Sequence, residues 1–234
     1  MFEMESKTYV VKSNREIAEG IVSLKLAPED GEQIAYTPGQ FMLLTLPSET
    51  KRAYSIASSP GSEHLEFAIK LVDGEFTSRV PGLKEGDRLI VEGPLGPFIY
   101  ETCEEYVLIA GGIGITPMIS ILRDRDGKSE CQKAILFYSA RRKEGLAFFD
   151  ELRELDLRNE NIRTVFTLSR EEPPGWEHET GHLDGEMLKK HLSSPEKKRY
   201  FVCGPARMVD AFRKLLLEDL NVPQENCTFE GWNV

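Results

Sequence analysis

The sequence predicts two consecutive domains: an antiparallel Greek-key β-barrel over residues 1–100, then a parallel-sheet α/β domain over residues 101–234. Three observations carry this reading. The first hundred residues are short alternating runs divided by turn residues. Beyond Pro97, compact apolar runs alternate with helical patterns. A chain of 234 residues can bury two modest cores, and the change of pattern favours two over one.

In the first part, period-two alternation marks strands at Thr8–Val11, Ile21–Leu26, Phe41–Leu46, Leu65–Leu71 and Arg88–Glu92. Pro38-Gly39, Pro60-Gly61, Asp73-Gly74 and Glu85-Gly86-Asp87 punctuate them as turns. Several short strands at such spacing point to a small Greek-key barrel. A short helix is expected near Thr77-Ser78, whose hydroxyls suit a cap.

In the second part, Tyr106–Ala110 reads as a strand buried on both faces. Similar runs follow at Ala134–Tyr138, Ile162–Leu168 and Tyr200–Cys203. Between and after them, apolar residues recur at helical spacing over Met118–Arg125, Leu146–Leu157, Glu186–Leu192 and Met208–Leu220. Strand–helix alternation predicts a parallel sheet with crossover helices. The boundary is expected at Pro97 to Glu105. Glu171-Glu172-Pro173-Pro174-Gly175 reads as a loop.

Composition narrows the function classes. A net charge of −10 argues against nucleic acid and anionic membranes as partners, and mildly against an acidic ferredoxin. No apolar run approaches the ~20 residues that cross a bilayer, and the amino terminus lacks a signal pattern, so the cytoplasm is the expected compartment. Cys103, Cys131, Cys203 and Cys227 are scattered without C-x-x-C spacing, which excludes a cysteine-ligated iron–sulfur cluster and disfavours a disulfide framework. His178 and His182 stand four apart in a turn-rich stretch and read as solvated loop histidines rather than a metal pair. No metal site or catalytic triad is expected.

Two segments carry chemistry. Arg52-Ala53-Tyr54-Ser55 combines a guanidinium, which binds a diphosphate bidentately, with an aromatic ring and a hydroxyl. Strand alternation sets Arg52 and Tyr54 on one face, Ala53 and Ser55 on the other. Gly111-Gly112-Ile113-Gly114-Ile115-Thr116-Pro117 joins a strand to a helix. Thr116 suits the N-cap and Pro117 the first helical position, and the glycines would admit a phosphate to a helix amino terminus. The spacing is not G-x-G-x-x-G. Cys203-Gly204-Pro205 repeats the device, Gly204 giving room and Pro205 starting a helix.

In this order the segments resemble the ferredoxin–NADP reductase family, in which a flavin domain precedes a nicotinamide dinucleotide domain. The resemblance implies that Arg52 binds the flavin diphosphate, Tyr54 covers the isoalloxazine and Ser55 hydrogen-bonds its N5 edge. Phe67–Leu71, with Ile69, Lys70 and Leu71, is similar to the family's next flavin-lining strand. Gly74-Glu75-Phe76-Thr77-Ser78-Arg79 is similar to its second phosphate contact, with Gly74, Phe76, Thr77 and Ser78 among the cofactor-binding residues: Gly74 would let the backbone approach, and a helix amino terminus with Thr77 and Ser78 would present free N–H groups. Gly93-Pro94-Leu95-Gly96-Pro97-Phe98 matches the turn that leads out of the barrel. Contacts for a diphosphate favour FAD over FMN.

For the second cofactor, the resemblance implies contacts from Gly111, Gly112, Gly114, Thr116, Pro117, Gly204 and Pro205. It places the Cys203 thiol beside the nicotinamide C4, against the alternative of a buried structural cysteine. Glu230 becomes a candidate for proton handling or nicotinamide orientation, and Trp232 for either a movable lid or core packing. Ser139, Arg141, Ser169 and Arg170 follow two strand ends, where a 2′-phosphate would meet cations and hydroxyls, which favours NADP over NAD. The expected activity is hydride transfer between NAD(P)H and FAD, then electron transfer to ferredoxin, flavodoxin or another acceptor. The alternatives are an electron-transfer subunit serving an oxygenase component, and a free-flavin reductase.

Overall fold

The structure is a computed structural model that describes residues 4–96, 105–126 and 133–232. Six strands form the first sheet: β1 (Glu5–Ala18), β2 (Ile21–Pro28), β3 (Phe41–Thr45), β4 (Lys51–Ser55), β5 (Leu65–Lys70) and β6 (Arg88–Leu95). Every pairing is antiparallel, in the order β4-β3-β6-β1-β2-β5. The non-sequential β3–β6 and β1–β6 neighbours are those of a Greek key. The sheet closes where the chain beyond β4 meets β5: Ala57 N–H donates to the Glu66 carbonyl at 2.7 Å, and Glu66 N–H to Ser58 Oγ at 3.1 Å.

The helix α1 spans Glu75–Arg79, two residues earlier than the Thr77-Ser78 pair suggests. Gly93, Pro94 and Leu95 belong to β6 rather than to an exit turn, while Pro97 and Phe98 lie outside the described residues. The proposed boundary also lies outside them, except for Glu105.

The second sheet is entirely parallel, in the order β10-β9-β8-β7-β11-β12. Its strands are β7 (Glu105–Gly111), β8 (Lys133–Ala140), β9 (Ile162–Leu168), β10 (Glu179–Thr180), β11 (Arg199–Pro205) and β12 (Cys227–Trp232). Helices α2 (Ile115–Asp126), α3 (Phe149–Arg158), α4 (Gly185–His191) and α5 (Ala206–Lys214) lie between them, and α5 runs on into a π turn, Leu215–Asp219. Alternation along β7 divides the core: Tyr106, Leu108 and Ala110 join one apolar cluster, Val107 and Ile109 another on the opposite face. Each fully buried large apolar side chain is worth about 1.5–3 kcal/mol, which is why a β7 buried on both faces anchors this half. Among the described residues no helix is long and apolar enough to cross a membrane.

The two halves share a seam. Ile21, Ala57 and Ala68 of the barrel pack in the same cluster as Ile115, Met118 and Ile119 of α2. Polar bonds lock it: Ser120 Oγ donates to the Ser58 carbonyl at 2.6 Å, and Glu19 N–H to the Glu144 carbonyl at 2.7 Å.

Candidate active site at the domain seam

A cavity of about 700 Å³ opens between the barrel and the carboxyl ends of the parallel strands. Residues from six successive strand ends line it: His182 beyond β10, Ser169 beyond β9, Ser139 and Arg141 at β8, Gly112 beyond β7, Arg207 beyond β11, and Trp232 on β12. The barrel supplies Glu19, Ile21 and Lys70 on the opposite wall. In a chain of net charge −10, this rim is cationic: Lys70, Arg141, Arg142 and Arg207 all line it. The carboxylate among them, Glu19, is paired with Arg142 at 3.2 Å.

Of the residues the sequence nominates for the dinucleotide, Gly111, Gly112, Ser139, Arg141, Ser169, Pro205 and Trp232 line this cavity. Gly114, Thr116, Pro117, Arg170, Cys203 and Gly204 do not. The reason lies in the glycines. A Cβ on Gly111 would meet Met208 Sδ at 2.6 Å, and one on Gly204 would meet Met208 Cε at 2.5 Å and Gly111 N at 3.2 Å. One on Gly114 would overlap the Cys203 carbonyl oxygen, with its carbon at 2.6 Å. Three of the four glycines therefore let β7, α2 and β11 approach one another. Gly112 is the exception, with φ +54° and open space where its side chain would be.

The helix start also differs from expectation. A short 3₁₀ turn, Gly112–Gly114, precedes α2, so Thr116 and Pro117 sit inside the first α turn. Thr116 Oγ1 donates to the Ile113 carbonyl at 2.8 Å and is not an N-cap acceptor. Pro117 remains harmless there, because first-turn N–H groups have no intrahelical partner.

Cys203 has no solvent exposure and packs in the seam cluster. Burial, with Glu230 beside it on β12, pushes its thiol well above the ordinary value, so it stays protonated. Glu230 is half-buried, and burial raises its carboxyl too. Trp232 is partly buried against the seam cluster while lining the cavity.

On the barrel, a second cavity of about 770 Å³ is lined by Leu71, Gly74, Thr77 and Ser78 with Val72 and Asp73. Thr77 Oγ1 donates to the Val72 carbonyl at 2.6 Å, which fixes the loop entering α1. Ser78 N–H donates to the Gly74 carbonyl at 3.0 Å and is not free for a phosphate; the open donors belong to Glu75, Phe76 and Thr77. The Tyr54 and Phe76 rings lie 5.2 Å apart, so β4 and α1, the two segments the sequence nominates for a flavin, are held together. Phe76 itself is a core residue, as is Ile69, and neither side chain is available to a ligand. Arg52 and Ala53 are exposed, and Tyr54 and Ser55 are half-buried on the terminal strand of the sheet. Exposed arginine, a braced aromatic and a glycine-edged loop fit a flavin dinucleotide.

Residues 8–100 match the family model described as an oxidoreductase FAD-binding domain, and residues 108–214 the oxidoreductase NAD-binding domain. NADH-cytochrome b5 reductase 1 of Aspergillus terreus is 30% identical over 227 residues, covering 90% of this chain and 76% of that protein. The chain belongs to the ferredoxin–NADP reductase-like flavoprotein oxidoreductases. The propane 2-monooxygenase reductase component of Mycolicibacterium goodii is 30% identical over 222 residues, 91% of this chain but 63% of that protein. In fold, the reductase-like chain resembles an Amycolatopsis cytochrome P450 reductase, with a TM-score of 0.88, 24% identity, and coverage of 100% of this chain and 72% of that one.

Several residues of this reductase-like site escape sequence reasoning. The Glu19–Arg142 pair joins positions 123 apart, which no local pattern reveals. His182 reaches the rim because the two-residue β10 aligns with β9, Thr180 opposite Leu168. Its partner in the sequence, His178, is half-buried in the loop before β10, beside Phe166 at 5.0 Å and Trp176 at 4.8 Å. Arg207 and Met208 stand two and three positions after the Cys203-Gly204-Pro205 run, a signal that could have found them.

Proposed function

We propose that this flavoprotein takes hydride from NAD(P)H, with NADPH preferred, onto FAD, and delivers electrons to a protein acceptor such as a ferredoxin, a flavodoxin or an oxygenase component. The observation that carries this reading is the seam cavity, where Gly112 and the cations of the parallel sheet face Lys70 and Ile21 of the barrel. When bound, the two cofactors supply the hydride chemistry and the change from two-electron to one-electron transfer.

The protein's part is to bind and orient. Arg52 holds the FAD diphosphate by charge, with Gly74, Thr77 and the first-turn N–H groups of α1. Tyr54, braced by Phe76, offers its ring to the isoalloxazine, flanked by Ala53, Lys70 and Leu71. Ser55 donates its hydroxyl to the N5 edge. Buried Cys203 shapes the wall behind the nicotinamide. Glu230, whose carboxyl holds its proton more tightly than usual, orients the carboxamide or exchanges a proton.

Ser139, Arg141 and Ser169 share one side of the cavity, and Ser169 Oγ donates to the Ala140 carbonyl at 3.3 Å, tying the two strand ends together. This set suits a 2′-phosphate. Arg141→Ala should therefore raise the KM for NADPH by roughly tenfold and that for NADH by less than twofold. Arg170→Ala, outside the lining, should act more weakly in the same direction. Equal effects on both dinucleotides would remove the NADPH preference.

The reading as a whole is tested by the flavin released on denaturation and by stopped-flow reduction. FAD is expected; FMN would contradict the diphosphate assignment, and a colourless protein would favour a free-flavin reductase. Ser55→Ala should slow flavin reduction by about 10–100-fold while flavin content stays near that of the wild type, and an unchanged rate would remove Ser55 from the mechanism. A second reading, an electron-transfer subunit of an oxygenase, draws on the monooxygenase reductase component among the relatives. Reduction of an oxygenase partner, but of no ferredoxin or flavodoxin, would favour it.

A further inference from the structure

We infer that Arg207 is the cation that grips the diphosphate of the incoming dinucleotide, a group NADH and NADPH share, and so sets the affinity for both without choosing between them. This rests on the seam cavity being the NAD(P)H site. Arg207 lies in the first turn of α5, whose N-cap is Pro205, with no side-chain cap and no acidic residue in that turn. A cation there opposes the helix dipole. Local rules broken in this way mark functional positions, and an anionic ligand resolves the conflict.

Arg207 is exposed and lines the cavity, and no carboxylate pairs with it among the described residues. Arg142, by contrast, is already neutralised by Glu19. Position identifies which anion Arg207 meets. Strands β9, β8, β7 and β11 are successive neighbours, about 4.8 Å apart, so the end of β11 lies ~14 Å from that of β9. One phosphate cannot sit on both Ser169 and the start of α5. With the 2′ position at β8 and β9, the anion over β7 and β11 is the diphosphate, between the open backbone of Gly112 and Arg207, where a guanidinium binds two oxygens at once.

The test is steady-state and binding analysis of FAD-loaded Arg207→Ala and Arg207→Lys. Arg207→Ala should raise the KM for NADH and for NADPH by the same factor, on the order of tenfold, with kcat within twofold of wild type. The dissociation constant of ADP-ribose, which carries the diphosphate but no nicotinamide, should rise in parallel. Arg207→Lys should recover part of the loss, and the salt dependence of KM should flatten in Arg207→Ala. Flavin content and Tm should match the wild type, since Arg207 is exposed. Unchanged KM and ADP-ribose affinity would overturn the assignment. So would an effect confined to NADPH, which would put Arg207 on the 2′-phosphate, or a fall in kcat at constant KM. A wild-type protein that neither dinucleotide reduces would instead overturn the reading of the cavity.

Discussion

Arg123→Met should cost about 3–5 kcal/mol of stability, as breaking one side of a buried ion pair does, and lower the Tm by roughly 10 °C. Arg123 belongs to α2, yet its Nη1 donates to Glu66 Oε2 of the barrel at 2.7 Å and to the Ala57 carbonyl at 2.9 Å. Its Nε and Nη2 grip both oxygens of Glu151 at 2.6 and 2.7 Å. Glu66 is only 5% exposed, and Ser23 Oγ donates to its other oxygen. Methionine matches the stem of arginine but leaves the Glu66 charge buried on a single hydroxyl. Glu66→Gln should cost less, about 1–2 kcal/mol, because Arg123 keeps Glu151. The double variant Glu66→Gln/Arg123→Met should be more stable than Arg123→Met alone, the coupling that marks a real pair.

The pH dependence should invert. Burial pulls the Glu66 carboxyl upward, but Arg123 and then Ser23 outweigh it and hold it below the ordinary value. A carboxyl depressed in the folded state contributes stability that is fully present above the unfolded value, about 4.3. That stability is lost as pH falls through the folded value. In Arg123→Met the burial effect stands without its largest opponent, so the carboxyl moves up. Its unfavourable charge then makes stability fall as pH rises from 4 to 7. Thermal unfolding of the FAD-bound protein across that range reads both slopes. A wild-type-like profile in Arg123→Met would mean that water, not the guanidinium, stabilises Glu66.

None of this clamp is visible in the sequence, and the reason is separation: Glu66 and Glu151 lie 57 and 28 positions from Arg123. What is legible depends on period. Tyr106–Ala110 announces a strand buried on both faces, and the structure divides its side chains between two clusters. The barrel strands follow from alternation and turns, although β1 extends to Ala18 through irregularities at Val11/Ser13 and Glu16/Ala18 that disguise its period. The strand β12 is missed because its alternation is short, Cys227 and Phe229 against Thr228 and Glu230, and its pairing beside β11 makes it a strand. At the site, residue type points to the right region but not to the role. Cys203 and Phe76 are where the chemistry is expected, yet both face the core. Whether a side chain at a strand end turns toward ligand or core depends on the neighbouring strand, which a linear pattern does not contain.

The glycine-rich turn supplies the second large effect. Gly114→Ala should lower stability by about 2–4 kcal/mol, at or above the upper end for overpacking, and raise the KM for NAD(P)H more than tenfold while FAD stays bound. The added methyl would overlap the Cys203 carbonyl oxygen and stand 2.6 Å from its carbon and 3.0 Å from Gly204 N. These are backbone atoms of β11, which is paired on both sides, so no rotamer change relieves them, and the turn before α2 must lift away from β11. That displacement moves Gly112, which lines the cavity, while Arg52–Ser55 and Gly74–Ser78 lie on other elements of the barrel. The neighbouring glycines set the scale. Gly111→Ala meets the Met208 thioether, the end of a flexible side chain, so it should cost less and be rescued by Met208→Ala. Gly112→Ala has free space but a φ of +54°, which costs an alanine about 1–2 kcal/mol. Thermal unfolding of the three variants should therefore rank Gly114→Ala as the most damaging. A Gly114→Ala protein with wild-type Tm and KM would show that the turn is not wedged against β11, and that the glycines serve the ligand after all.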